Sequence, residues 1–161
     1  MERTLPGLSL LLALASCTWA QESPACEGRP IAEWVADLDS VDPSTRLRAA
    51  TAIGKAGPAA HEAVPMLARA LQDAEPGVRR VAFSALGGLG RGAIDALPRM
   101  IEALRDEDIA WSAPPALASL GSAAAPTLLK ALRSSDVKVR LCLEKALSLM
   151  RGDAVPALRD W

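Results

Sequence analysis

The chain has 161 residues, half of them hydrophobic, yet only 3% are aromatic, with one Phe and no Tyr. Its 18 Lys and Arg stand against 19 Asp and Glu, a formal net charge of -1, which excludes the strong positive field of a nucleic-acid-binding domain. One His and three Cys without CxxC spacing exclude a multi-His or Cys/His zinc site, and no cofactor is expected.

Taken in order, residues 1–20, MERTLPGLSLLLALASCTWA, have a short polar start with Arg3, an apolar run from Leu8 to Ala15 and small residues after it. This pattern predicts a secretion signal. The apolar run is too short for a membrane span, which needs roughly 20 apolar residues. Two processing outcomes are open. Thr18-Trp19-Ala20 suits ordinary cleavage before Gln21, giving an exported protein, periplasmic or extracellular. Leu14-Ala15-Ser16-Cys17 resembles the bacterial lipobox, which implies a signal over 1–16 and a lipid anchor on Cys17 in an envelope membrane. Residues 21–29, QESPACEGR, read as a tether carrying an exposed Cys26. Cys142 falls on the apolar side of a late helix, where a free Cys behaves as a small hydrophobe. In a linear stack of helices these two sulfurs lie several layers apart, beyond disulfide reach.

From Pro30 on, the chain reads as helical hairpins. Ile31, Trp34, Val35 and Leu38 share one face of a capping helix, with Trp34 a lid over the core. The most regular hairpin runs from Asp73 to Leu104. Val78, Ala82, Ala85, Leu86 and Leu89 recur at helical spacing, Gly87, Gly88 and Gly90 close that helix, and Leu97, Met100, Ile101 and Leu104 form a second stripe behind Pro98. Residues 42–71 repeat this pattern at an offset of 33. A third copy begins at Asp106, with Ala113, Ala116, Leu117 and Leu120 in the apolar slots and Ala125 to Leu132 as its second helix. Pro114-Pro115 falls inside its first helix, which is therefore predicted to restart at Ser112-Ala113. Trp111, left in the displaced segment, either plugs the distortion or stands out as an aromatic anchor for a partner. A fourth copy is aligned by Val139-Arg140, Leu143, Ala146 and Leu147, and VPALRDW, ending at Trp161, follows it. Few aromatics and many Ala and Leu imply closely approaching helices with thin side chains between them.

An acid at the turn, Val-Arg four residues on, Ala-x-x-Ala-Leu-Gly-x-Leu-Gly and Val-Pro-x-Leu before a second helix together resemble HEAT repeats, in particular the short bacterial kind also seen in phycobilin-lyase-like proteins. The resemblance implies an all-α, right-handed α-solenoid of about four hairpins plus an N-terminal capping helix, over residues 30–161. It further implies that the turn acids and helix arginines form an inter-repeat ladder, the pairs being Asp42/Arg46, Glu75/Arg79 and Asp136/Arg140; in the third copy Ala110 replaces the Arg. Taken singly, each is an ordinary exposed i,i+4 pair worth about 0.3–0.5 kcal/mol.

The second helices of such arrays line an inner face. Here they offer two outward rows, Arg69, Glu102 and Lys130, then Gln72, Arg105 and Arg133, the latter leaning basic. Either this is a solvated face or an acidic protein segment lies along it. Catalysis has little support, since there is no GxSxG, no P-loop and no GxGxxG after a strand, and His61 reads as a surface residue. The expected function is therefore a non-enzymatic protein-interaction or scaffold module, exported or envelope-anchored. A lyase-like chromophore chaperone is a distant alternative implied by the resemblance alone. Oligomeric state is not legible.

Overall fold

A computed structural model describes residues 25–26, 28–133 and 136–150. The expected secretion signal, Cys17 and the closing VPALRDW segment with Trp161 lie outside the described residues.

The described chain begins with a minimal antiparallel pair, β1 (Ala25–Cys26) with β2 (Arg29–Pro30). The helix α1 (Ile31–Asp37) follows directly. Cys26 is buried rather than exposed, and its thiol donates to the Ala52 carbonyl at 3.1 Å. Trp34 is buried as expected; its indole N–H donates to the Cys26 carbonyl at 3.0 Å, and the Arg29 guanidinium lies 4.1 Å from its ring centroid. The expected tether is thus packed where it is described, because a buried indole needs an acceptor and this backbone supplies one.

Three hairpins follow. The first is α2 (Pro43–Ala56) and α3 (Val64–Ala70), the second α4 (Pro76–Gly88) and α5 (Leu97–Ala103). The third has a first helix in two pieces, α6 (Glu107–Ala110) and α7 (Ala113–Ser119), and then α8 (Ala125–Leu132). The break falls where the two prolines predict it, with Ser112 as N-cap and Pro114 in the first turn of α7. The helix α9 (Val137–Leu149) opens the fourth unit. Between first and second helices the chain passes through short 3₁₀ segments, and the glycine that ends each first helix, Gly57, Gly90 and Gly121, has a positive φ of 61, 57 and 77°. A side chain is strained there, so the recurring Gly is what lets each hairpin turn back.

The first helices α2, α4, α7 and α9 pack on one another in succession, and α3, α5 and α8 form a second layer, α3 against α4, α5 against α8 and α8 against α9. The first layer is tight because its facing residues are small. Gly54 abuts Ala85, and Gly87 abuts Ala116 so closely that a Cβ added at Gly87 would lie 2.5 Å from that of Ala116. The Ser119 hydroxyl donates to the Gly87 carbonyl across the same seam, at 2.6 Å. Ile53, Leu67, Phe83, Leu86, Met100, Leu117 and Leu128 fill the space between layers, and among the described residues no polar or charged residue is fully buried. The architecture is an all-α solenoid.

Candidate functional site

The arginine ladder exists, with different partners from those expected. The Arg46 side chain reaches forward to the next repeat, where its Nε and a terminal nitrogen each donate to one carboxylate oxygen of Asp73 at 2.7 Å. Its other terminal nitrogen donates to the carbonyls of Ser40 and Val41. Arg79 follows the same course with a single carboxylate contact: its Nε donates to Asp106 at 2.6 Å and a terminal nitrogen donates to the carbonyls of Asp73 and Ala74. The i,i+4 acids do something else. Asp42 caps α2, accepting from the Ser44 and Thr45 amides and hydroxyls, which hold its carboxyl down at about 2. Glu75 makes no side-chain cap; Asp73 accepts from the Glu75 amide instead. Asp136 caps α9 through the Lys138 and Val139 amides. Arg140 sits 4.0 Å from Glu144 on the exposed side of the same helix. A capping carboxylate points at its own helix N-terminus, whereas an Arg one turn along points across the seam to the following turn; Asp106 serves both, one oxygen capping α6 through the Asp108 amide and the other accepting from Arg79. Asp73 therefore has its carboxyl held below the ordinary range, first by the Arg46 hydrogen bond. At the third repeat Ala110 ends the ladder, and an exposed ion pair, Lys138 with Glu107, links α9 to α6 there instead.

The expected interaction rows are exposed where the structure places them. Arg69, Glu102 and Lys130 project from α3, α5 and α8. Gln72 and Arg105 lie two residues past their helix ends, and Arg133 is the C-cap of α8. Arg69 makes a 3.5 Å contact with Asp39. Between α3 and α5 lie two grooves that share Ala68 and Arg99. The larger, about 380 Å³, adds Val64, Pro65, Arg69 and Asp95; the smaller, about 110 Å³, adds Leu71, Gln72 and Glu102. Arg99 is the residue the row reading misses. Its counterpart 33 residues earlier is Met66, so the position does not recur as polar. The usable signal was the i,i+3 spacing of Arg99 to Glu102, which sets both on one helix surface.

Trp111 is 88% exposed, so it does not plug the helix break. It edges an open groove of about 420 Å³ between α6–α7 and α9.

Among the described residues no group of His, Cys, Asp and Glu could hold a metal ion, and no helix is long and apolar enough to cross a membrane.

No curated protein matches the chain. In structure the chain is similar to an engineered protein solved by the Northeast Structural Genomics Consortium, with a TM-score of 0.52 and 22% identity over 81% of this chain and 67% of that one. A second engineered protein from the same consortium gives a TM-score of 0.49 at 22% identity, covering 81% of this chain and 40% of its own. The first likeness speaks to the fold. In sequence, residues 31–112 match the family described as HEAT repeats. Since that match spans α1 and two complete hairpins, and the third hairpin and α9 continue the same stacking, the chain belongs to the HEAT-repeat family.

Proposed function

We propose that this chain is an exported, non-enzymatic interaction module that holds an acidic segment of a partner protein along its second-helix layer. HEAT repeats mediate protein–protein interaction and scaffolding, which supports the general class. The observation that carries the finer reading is a segregation of charge. On α3, α5, α8 and the residues just after them the exposed charges are Arg69, Arg99, Arg105, Lys130 and Arg133 against Glu102, and with Asp39 beside Arg69 and Asp95 in the groove beside Arg99 the face still keeps an excess of positive charge, in a chain whose net charge is -1. Such an imbalance steers acidic partners and is felt within a Debye length, about 8–10 Å at physiological salt. The grooves beside Arg99 supply apolar floor from Val64, Pro65 and Ala68, so the face offers more than a diffuse field.

The test is binding of a fluorescein-labelled oligoglutamate peptide to the purified protein, followed by anisotropy across a salt series. Binding that weakens with salt and is lost in Arg99→Glu/Arg105→Glu is the expected result. Equal binding of an oligolysine peptide, or an unchanged affinity in the double variant, overturns the reading.

Export is supported by the leader over residues 1–20. A second form, anchored through Cys17, is favoured by Leu14-Ala15-Ser16-Cys17 alone. Intact mass of the mature protein separates them, since a soluble species starting near Gln21 ends the anchored form and a diacylglyceryl mass on Cys17 establishes it.

A further inference from the structure

The first-helix layer carries a different surface. Trp111 and Leu141 stand on opposite walls of the 420 Å³ groove, 88% and 60% exposed, over a floor that includes Ala110, Pro114 and the buried Cys142. A single exposed apolar residue is ordinary, but two large ones facing one groove are not scattered.

The repeat register explains why the indole projects. In the first hairpin the equivalent residue is Leu47, which lies down over the start of the next first helix because Gly77 stands there and leaves room. The residue in the Gly77 position of α9, two past its N-cap, is Lys138, and it is held by Glu107. That ion pair fills the place where the Trp111 ring would otherwise lie flat.

One charge in the groove is unspent. Lys145 lines the same wall as Leu141, one helical turn further along α9, and no described carboxylate pairs with it. Its charge reaches the groove floor, where it opposes the burial that pushes the Cys142 thiol up to about 11. Four residues of helix advance about 6 Å, while an extended peptide covers that distance in about two residues.

We propose that this groove is a second docking site, for an extended segment of a partner protein in which a large apolar side chain, seated between Trp111 and Leu141, is followed two residues on by a carboxylate that meets Lys145. The apolar anchor supplies affinity by leaving water against an aromatic wall, and the carboxylate sets direction and spacing. The site uses the other helix layer from the acidic-segment face, so either can fail without the other.

Random-peptide phage display on the full chain tests it. Recovered peptides are expected to share an aromatic or long aliphatic residue and an Asp or Glu two positions later. As synthetic peptides they should bind Trp111→Ala at least about tenfold more weakly, with binding kept in Trp111→Phe. Lys145→Glu should weaken them and Lys145→Arg should not, while Arg99→Glu/Arg105→Glu leaves them unchanged. Trp111 is exposed, so its replacement leaves the fold intact by circular dichroism. Failure to recover any peptide that depends on Trp111, or retention of affinity when the acidic position is changed to Lys, overturns the proposal.

Discussion

The Arg46 guanidinium and the Asp73 carboxylate, 27 residues apart, form a two-point ion pair with both contacts at 2.7 Å. Both side chains are largely shielded from water, at 14% and 10% exposure. This separates the pair from the ordinary surface ion pairs of the molecule, because planar two-point geometry and partial burial are the conditions under which such a contact contributes measurably.

Asp73→Ala should therefore cost about 1–3 kcal/mol in urea unfolding, since it leaves a shielded guanidinium without its charged partner. The effect depends on pH in a defined direction. The carboxyl is held below its ordinary value in the folded chain, so the unfolded chain takes up the proton first as pH falls. The contribution is present above about pH 4, where the unfolded carboxyl is ionised, and fades in stronger acid as the folded one is protonated. Unfolding curves of the parent and the variant should converge there and stay apart from about pH 5 to 8.

Gly87→Ala should destabilise by about 1–3 kcal/mol, even though Ala is the better helix former by about 1 kcal/mol. The new Cβ would sit 2.5 Å from the Ala116 Cβ and 2.7 Å from its Cα, so backbone has to move. Ala116→Gly in the same chain should restore part of the loss. Gly92→Ala is the control, because its Cβ would meet the His61 Cβ at an ordinary 3.6 Å. Thermal melts of the three variants against the parent decide it.

At the N-terminal end, Trp34→Phe keeps most of the volume and removes the indole N–H that satisfies the Cys26 carbonyl. A loss of about 1–3 kcal/mol is expected for that, against about 3–5 kcal/mol for Trp34→Ala, which also leaves a cavity. A Trp34→Phe variant as stable as the parent would mean that the hydrogen bond contributes nothing.

Cys142 should resist alkylation in the native protein. With its thiol pushed up to about 11 by burial, roughly one molecule in a thousand is thiolate at about pH 8. Iodoacetamide labelling followed by peptide mass spectrometry should rise about tenfold per pH unit toward about 11, where an ordinary thiol levels off near 8.5. A plateau at the ordinary value would show the thiol to be solvated.

Periodicity and punctuation were enough to define the hairpins by themselves. Apolar residues at helical spacing, a proline opening each second helix and a Gly closing each first one dictate the elements almost to the residue, and Pro114-Pro115 placed the break in the third repeat. These are local constraints on φ, on missing amides and on one-sided burial, so they are written where they act. What crosses between repeats was not written that way. That Arg46 turns forward to Asp73 and leaves Asp42 to its own helix, that Cys26 is folded in under Trp34, and that Trp111 is propped outward beside Lys138 each depend on how far apart two helices stand and which way a long side chain leans. Those distances are set by Gly54, Ala85, Gly87 and Ala116 meeting face to face. Residue types along the chain determined that this protein is a stack of hairpins; the close approach of the stacked helices decided which charges are paired and which apolar side chains are left facing water.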